Sequence, residues 1–333
     1  MPLRIAISMG DFNGIGPEII LKSLDRINLD DITPVVFGHT KIFNFYADRA
    51  NISRPVWNTV SDPSKIEDGS VNIFNHPKIS TQELEPGRFS VAAGRSAMLS
   101  IEEGLKWCLN NHTRALVTAP ISKEAVNKAG YDIPGHTEFL AKKSGTDDFM
   151  MMLAHNNLRV GLVTIHIPVK NIAEQIQTQT VKQKIYRMRD ALRDDFGIAA
   201  PRIAVLGLNP HAGDGGIIGR EEIETITPAI LDAESDHINV SGPFPADGFF
   251  GNRKFEHFDG VLAMYHDQGL VPFKTLAFGG GVNVTAGLPF VRTSPDHGTA
   301  FDIAGTNQAD PSSFLQALTL ACSISENRKL AAQ

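Results

Sequence analysis

Apolar and polar positions alternate along the chain in two periods, one typical of strands and one typical of helices. Several short runs are apolar throughout, which favours strands covered on both faces of a parallel sheet. The predicted strands are Arg4–Ser8, Pro34–Phe37, Ala115–Thr118, Met150–Leu153, Val160–Ile165, Arg202–Leu208, Gly260–Met264 and Val282–Thr285.

Amphipathic stretches between these runs predict helices with recognisable ends. Apolar residues recur at helical spacing from 91 to 109, and Ser90 is placed to cap that helix. Thr180 is placed to cap a second helix that Gly197 would stop, and Asp310 precedes a Pro-Ser pair that would begin the last one. Helices that alternate with strands predict an α/β fold with a largely parallel sheet.

The composition narrows the class of protein. The chain has 333 residues, enough for two domains, and 42% hydrophobic with 20% charged residues is an ordinary globular balance. The net charge of -6 offers no general attraction to nucleic acid or to anionic membranes, so local cations must hold any anionic ligand. Cys108 and Cys322 lie in apolar helix-like stretches, which favours buried thiols over a disulfide. The first residues lack the apolar core of a signal peptide and no apolar run could span a bilayer, so we expect a cytoplasmic protein.

Three histidines each follow an apolar strand-like run where the chain enters a polar or Gly/Pro-rich loop. They are His166, His211 and His266. In open α/β sheets, ligands bind beyond the carboxyl ends of strands, so imidazoles converging there predict a divalent-metal site. Three protein ligands with one open position describe a catalytic metal that could bind a substrate hydroxyl and lower its pKa. The alternative is three unrelated members of the 11 histidines, and spacing alone does not separate the two interpretations.

Two glycine-containing turns are candidates for anion binding. The turn Gly10–Glu18 opens a helix with Pro17 in its first turn, but it matches neither a Rossmann fingerprint nor a P-loop, so a structural turn is the better interpretation. After Gly135, the side chains of His136 and Thr137 could donate hydrogen bonds to an anion at a helix N-terminus. The alternative there is a capping turn with Thr137 as the N-cap residue.

Three polar residues around a glycine-rich stretch form a further phosphate candidate. Lys274, Asn283 and Arg292 follow one another at intervals of nine residues. Arginine offers phosphate a bidentate fork and lysine a compact charge. Each residue taken singly is more often a solvated surface residue, so their position near glycines adds only modest support.

Seven segments, in their order along the chain, resemble the 4-hydroxythreonine-4-phosphate dehydrogenase family of vitamin B6 biosynthesis, PdxA. The resemblance runs from about Ile5 to about Leu320 and rests on the joint order of segments that are individually unspecific. The segments are Gly10–Glu18, Thr118–Lys123, Gly135–Phe139, Asn209–Gly216, Gly242–Asp247, Tyr265–Gly269 and Asp296–Gly305.

The resemblance implies an α/β fold of two α/β/α domains of the isocitrate/isopropylmalate dehydrogenase-like type with an interdomain active-site cleft. It implies a discontinuous cofactor-side domain of residues 1–120 with 271–333. A second domain of residues 121–270 would carry the metal ligands and the dimer contacts. It also implies a homodimer with the active site near the subunit interface.

The resemblance also assigns roles to individual residues. It implies one divalent ion per active site, Zn, Mg or Co, with the ligands His166, His211 and His266. The implied substrate contacts are His136, Thr137, Lys274, Asn283 and Arg292. The last segment also resembles the cofactor loop of isocitrate and isopropylmalate dehydrogenases. His297 and Asp302 are therefore expected on the side of NAD or NADP, with a tight loop beneath the last helix as the alternative.

The implied reaction is metal-dependent, NAD(P)-linked oxidation of 4-phosphooxy-L-threonine at its 3-hydroxyl, followed by decarboxylation to 3-amino-2-oxopropyl phosphate. Two carboxylates in the matching segments, Asp247 and Asp267, are candidate catalytic groups that could orient a ligand or move a proton. Ordinary capping or loop roles are the alternative for both.

Two other functions stay open. One is a sister dehydrogenase acting on a phosphorylated aldonic acid, such as erythronate or threonate 4-phosphate, or on a dihydrodiol. The other is a non-catalytic phosphometabolite-binding protein, which the intact set of three histidines with Lys274 and Arg292 disfavours because a binder needs no redox site. One departure is visible: family members commonly have Pro-Ala after the first aspartate, where this chain has Phe12 and Asn13.

Overall fold

The computed structural model describes residues 2–133 and 135–331. Within that part of the chain, the strands are β1 (Leu3–Ser8), β2 (Ile32–Gly38), β3 (Trp57–Val60), β4 (Val71–Asn75), β5 (Ala115–Thr118), β6 (Met150–His155), β7 (Leu158–Leu162), β8 (Ile203–Leu206), β9 (Val240–Phe244), β10 (Gly260–Ala263), β11 (Val282–Ala286) and β12 (Val291–Pro295). The α-helices are α1 (Gly16–Leu24), α2 (Thr40–Ala50), α3 (Val91–Leu109), α4 (Lys123–Lys128), α5 (His136–Ser144), α6 (Ile172–Gln175), α7 (Thr178–Asp190), α8 (Thr227–Ser235), α9 (Ala246–Gly251), α10 (His266–Ala277) and α11 (Ser312–Ala331). Alternation of the two element types confirms the predicted α/β class.

The first compact unit consists of Met1–Gly145 and Leu288–Ser325. Its strands run parallel in the order β3-β4-β2-β1-β5-β12. The central strand β1 is fully buried from Ile5 onwards, as expected where helices cover both faces of a sheet. Gly94 on α3 lets the backbone of α4 approach closely, because a Cβ there would lie 2.4 Å from the carbonyl carbon of Ala125.

The second compact unit consists of Thr146–Gly287 and Glu326–Gln333. Its strands follow the order β11-β6-β7-β10-β8-β9, with parallel pairing from β7 to β9 and antiparallel pairing of β6 with β7 and β11. Helix α10 packs on the sheet through Gly269, where a Cβ would lie 2.9 Å from side-chain atoms of Val160 and Leu162. The buried side chains of Phe249 and Phe273 belong to the core of this unit.

These bounds differ from the predicted domains of 1–120 with 271–333 and 121–270. Residues 121–145 belong to the first unit because α4 packs against α3 at Gly94. Residues 271–287 belong to the second unit because β11 pairs with β6. The end of α11 also belongs there, since Arg328 Nε donates to Asp195 Oδ1 at 2.5 Å.

Every predicted strand is present, and β3, β4, β9 and β12 were not predicted. Polar residues interrupt the apolar pattern of these strands, so the sequence does not indicate them. Every residue of β12, Val-Arg-Thr-Ser-Pro, is buried. Burial is possible because the polar side chains find partners inside the protein; Thr293 Oγ1, for example, donates to Ala317 O at 2.8 Å. Strand β9 contains a Gly-Pro pair, which marks a strand at the end of the order.

The predicted helix ends are partly confirmed. Ser90 Oγ accepts a hydrogen bond from Ala93 N at 3.2 Å, and Asp310 Oδ1 accepts one from Ser312 N at 2.9 Å. Gly197 has a φ of +70°, just after the helical segment Ala191–Asp195 that continues α7. Thr180 is not the cap, since α7 begins at Thr178 and Gln177 precedes it. No helix within residues 2–133 and 135–331 is long and apolar enough to cross a membrane.

Candidate active site

The most deeply buried cation of the first unit is Arg292. It lies on β12 opposite Leu116 of β5, and its Nη2 donates to Thr118 Oγ1, at the end of β5, at 2.9 Å. The side chain is 2% exposed. Burial lowers the pKa of its guanidinium to about 10, against the opposing effect of the Glu138 carboxylate, so the group stays protonated at neutral pH.

His136 and Thr137 form the first turn of α5, next to this guanidinium. The N-cap residue is Gly135, so the interpretation of Thr137 as the N-cap is wrong; Thr137 is buried inside the first turn. His136 Nε2 is fully buried and has no hydrogen-bond partner among the described residues. Burial, followed by the positive charges of Arg292 and Lys123, holds the pKa of His136 well below its usual 6.5.

We call Thr118, Lys123, His136, Thr137 and Arg292 the Arg292 cluster. It combines a fixed guanidinium, an ammonium, a neutral imidazole with an unsatisfied nitrogen and the N-terminus of a helix. Backbone N–H groups at a helix N-terminus and an arginine fork both favour an anion with several oxygens. The arrangement is therefore suited to a phosphate or a carboxylate.

The predicted cofactor residues lie on the loop between β12 and α11. His297 Nδ1 donates to Gly298 O at 3.1 Å, and its Nε2 is buried without a partner in the described part of the chain. Asp302 is exposed. The orphaned imidazole nitrogen is suited to hydrogen bonding with a polar group of a ligand.

The turn from Gly10 to Gly16 is built from buried polar groups. Asp11 Oδ1 accepts from Asn13 N at 2.9 Å, while Asp11 Oδ2 is buried without a partner within the described residues. Burial raises the pKa of the Asp11 carboxyl to about 6. Glu18, also buried, accepts from Ala309 N at 3.0 Å and from Lys22 Nζ at 2.8 Å. These internal contacts agree with the interpretation of a structural turn.

In the second unit, His166 and His266 lie side by side. Their ring centroids are 5.8 Å apart. The sequence predicted that His266 enters a loop, whereas in the structure it is the first residue of α10. Its Nδ1 lies 2.7 Å from Asp267 Oδ1, so this carboxylate fixes which ring nitrogen of His266 faces outward.

His211 lies on a turn with left-handed backbone. Residues 211–215 all have positive φ, with values of 53° at His211, 52° at Ala212 and 44° at Asp214. Three L-residues with side chains in this region are strained, which is typical of functional sites. The carboxylate of Glu222 fixes the start of the turn, accepting from Leu208 N and Asn209 N at 2.7 Å each and from Asn209 Nδ2 at 2.9 Å.

The geometry fits the implied metal only in part. His166 and His266 are adjacent, as two ligands of one ion would be. Residues 2–133 and 135–331 nevertheless contain no group of three His, Cys, Asp or Glu side chains placed to hold a metal ion. The rings of His166 and His266 are thus paired in this structure, without a third such side chain placed to complete a group of three within the described residues.

The remaining predicted site residues belong to the second unit. Lys274 lies on α10 and is exposed, and Asn283 lies on β11, half-buried, opposite Leu153 of β6. Asp247 lies in the first turn of α9 and is exposed.

The sequence did not reveal several residues that support these sites. Thr118 positions Arg292, Glu222 holds the turn of His211, and Asn13 bonds to a distant segment. Thr118 and Asn13 lie inside matching segments, but only contacts across the fold give them roles. Glu222 lies outside every matching segment, and its burial at 3% exposure is the signal that identifies it.

Comparison with known proteins fits these observations. The family model described as pyridoxal phosphate biosynthetic protein PdxA matches residues 30–321. A relative from Prosthecochloris aestuarii named 4-hydroxythreonine-4-phosphate dehydrogenase is 46% identical, with 97% of each chain covered. A relative of the same name from Bacteroides thetaiotaomicron is 43% identical, over 98% of this chain and 90% of its own.

Solved structures agree in fold along the chain. The crystal structure of 4-hydroxythreonine-4-phosphate dehydrogenase from Klebsiella pneumoniae has a TM-score of 0.86 and 38% identity, with 98% of each chain covered. A terephthalate 1,2-cis-dihydrodiol dehydrogenase from Burkholderia xenovorans has a TM-score of 0.67 and 28% identity, covering 97% of this chain and 98% of its own. A β-decarboxylating dehydrogenase from Thermococcus kodakarensis, 13% identical with a TM-score of 0.50, covers 99% of this chain and 89% of its own and shows the predicted fold type alone. By the extent of the family match and the identity to its relatives, this chain belongs to the PdxA family of pyridoxal phosphate biosynthetic proteins.

Proposed function

We propose that this protein is a 4-hydroxythreonine-4-phosphate dehydrogenase. It oxidises 4-phosphooxy-L-threonine at its 3-hydroxyl with NAD or NADP, and the product loses carbon dioxide to give 3-amino-2-oxopropyl phosphate. Membership of the family and relatives of that name at 46% and 43% identity support the enzyme class. The observation that carries the substrate class is the Arg292 cluster, which places a buried guanidinium in an acidic protein.

The Arg292 cluster is proposed to hold the phosphate. Arg292 offers two parallel N–H groups, and the backbone N–H groups of the first turn of α5 lie beside it with His136 and Thr137. Lys274 and Asn283, in the second unit, are proposed as further substrate contacts from the resemblance. Binding energy from the phosphate, remote from the reacting carbon, can align that carbon and raise turnover.

His297 and Asp302 are proposed to contact the nicotinamide cofactor, which accepts the hydride when bound. The buried, unsatisfied Nε2 of His297 supports this assignment within the described residues. Asp267 is proposed to orient His266, because Asp267 Oδ1 lies 2.7 Å from His266 Nδ1. Asp247 at the start of α9 is proposed as the second candidate for a proton-carrying group.

His166, His211 and His266 are proposed as ligands of one divalent ion, Zn, Mg or Co. The resemblance and the 5.8 Å separation of two of the rings support this proposal. The purified protein should contain one ion per chain, and a chelator should remove it. Metal analysis before and after chelation tests the proposal directly.

A homodimer is proposed as the working assembly. Helix α10 exposes the large apolar side chains of Val271, 61% exposed, and Leu276, 39% exposed, and Phe278, the residue that follows the helix, is 90% exposed. Exposed apolar residues close together in the chain support an interface. Analytical ultracentrifugation at assay concentration should give the mass of two chains, and an active monomer would contradict the proposal. A cytoplasmic location is proposed as well, in agreement with the buried thiol of Cys108.

A substrate panel tests the reaction. The purified protein is given 4-phosphooxy-L-threonine, erythronate 4-phosphate, threonate 4-phosphate or a terephthalate dihydrodiol, each with NAD or NADP, and reduction of the nicotinamide is followed by absorbance. The amino acid phosphate should give the highest kcat/KM. Preference for an aldonic acid phosphate or for the dihydrodiol would move the protein to a sister activity, and failure to reduce either cofactor with any compound would refute the enzyme.

A further inference from the structure

Asn13 is a fully buried side chain that joins two separate segments of the first unit. Its Nδ2 donates to Glu83 O at 3.1 Å, and its Oδ1 accepts from Glu85 N at 2.8 Å. Its own carbonyl oxygen accepts from Gly87 N at 2.8 Å. Three hydrogen bonds from one residue therefore fix the segment 83–87 to the turn that follows β1.

The segment 83–87 in turn contacts the loop that carries His297 and Asp302. Gly87, with a φ of +84°, approaches this loop so closely that a Cβ would lie 2.8 Å from Phe301 O. Pro86 packs against Gly305, where a Cβ would lie 3.0 Å from Pro86 Cβ. The segment is therefore one wall against which the loop 297–305 rests.

The turn that contains Asn13 holds the same loop from a second side. Ile15 N donates to Thr299 O at 2.9 Å, and a Cβ at Gly14 would lie 2.9 Å from that oxygen. Both supports of the loop thus originate at one turn, and Asn13 is the side chain that connects them. An alanine at this position could make neither side-chain hydrogen bond.

We propose that Asn13 is a positioning residue for the nicotinamide cofactor, acting through the segment 83–87 on the loop 297–305. The inference rests on the proposed function, because it takes that loop as the cofactor loop. By fixing the wall before the cofactor arrives, Asn13 reduces the ordering that binding must otherwise accomplish. It touches neither substrate nor cofactor in this scheme.

The test is the cofactor affinity of Asn13→Ala. Kd for NADH and NADPH is measured by fluorescence titration without substrate, and KM and kcat are measured separately. We expect a rise in cofactor Kd of about ten-fold, the scale of one or two lost hydrogen bonds. The cofactor KM should rise in parallel, while kcat at saturating cofactor should change by less than about two-fold, because Asn13 does not touch the reacting atoms.

Asn72→Ala is the matched control. Asn72 is equally buried, and its side chain also bonds to backbone of a loop, donating to Glu67 O at 3.0 Å and to Ser70 O at 2.9 Å. Its loss should lower Tm and leave cofactor Kd unchanged. If Asn13→Ala does not fold, Gly87→Ala perturbs the same wall with Asn13 intact and should raise Kd.

The outcomes separate the inference from the proposed function. Wild-type protein that binds neither NADH nor NADPH would overturn the cofactor assignment and the inference together. Wild-type binding with an unchanged Kd in Asn13→Ala, or an equal rise in Asn72→Ala, would overturn the inference alone.

Discussion

Removal of the Glu222 carboxylate should release the left-handed turn that carries His211. In Glu222→Ala, the backbone N–H groups of Leu208 and Asn209 lose their acceptor, now at 2.7 Å, whereas the Asn209 side-chain amide keeps its bond to Glu221 Oε2 at 2.7 Å. An unsatisfied buried donor costs about 1–3 kcal/mol. Two effects oppose this loss. The strain at three left-handed residues, about 1 kcal/mol each, is relieved, and the cost of burying the Glu222 carboxylate is removed. We expect a net loss of about 2–4 kcal/mol in the free energy of unfolding.

The assay is differential scanning calorimetry with Glu224→Ala as the control. Glu224 lies in the same helical segment, Glu222–Ile226, but its exposed carboxylate pairs with the exposed Arg220, a contact worth less than about 1 kcal/mol. A loss of 2–4 kcal/mol corresponds to a fall in Tm of about 5–12 °C for a unit of this size. Turnover should fall as well, because the backbone that holds His211 is no longer fixed.

Melting of the two variants within about 1 °C of each other would contradict this role of the Glu222 carboxylate. Such a result would mean that the left-handed turn is stable without the carboxylate. A large fall in Tm with unchanged turnover would mean that the turn matters for folding but that His211 has no part in the reaction.

Three further predictions concern the charged groups. Arg292→Ala should reduce kcat/KM for the phosphorylated substrate about a hundred-fold and have much less effect on a dephosphorylated analogue; equal losses on both compounds would remove the phosphate assignment. Asp11 has a pKa raised from 3.8 to about 6 in the folded protein, so its contribution to stability is complete below 3.8 and is lost as pH rises through 6, by about 3 kcal/mol. Asp11→Asn should therefore raise Tm relative to wild type by more at pH 8 than at pH 4, and a difference independent of pH would contradict the buried carboxylate. His211→Ala should abolish metal retention with the fold intact by circular dichroism, and a variant that keeps its ion would exclude His211 as a ligand.

The sequence predicts best those elements whose side chains reflect burial directly. Runs such as Ala115–Thr118 are apolar on both faces, and their strand is found with the predicted bounds. Strand β12 escapes prediction because Arg292 and Thr293 are polar, yet partners from β5 and α11 satisfy them inside the protein. Such partners are distant in sequence, and no local pattern records them.

The candidate site shows the same division. The resemblance implies substrate contacts at His136, Thr137 and Arg292, and the three residues lie in one unit. It does not predict the residues that hold a site residue in place, such as Thr118 and Glu222. Their roles depend on hydrogen bonds across 174 and 14 residues of sequence, respectively. The resemblance thus names site residues, whereas the hydrogen bonds that hold them in place are visible only in the folded structure.

The buried guanidinium of Arg292 makes the stability of the first unit depend on its surroundings. Folding removes this charge from water, and Thr118 and Glu138 compensate it only from within the protein. An anion that binds the Arg292 cluster of the folded chain and not the unfolded one would raise the free energy of unfolding by an amount that grows with the logarithm of its concentration above Kd. If the cluster binds phosphate as proposed, inorganic phosphate in a buffer should stabilise the folded chain, and two preparations of the same chain should differ in stability when their phosphate content differs.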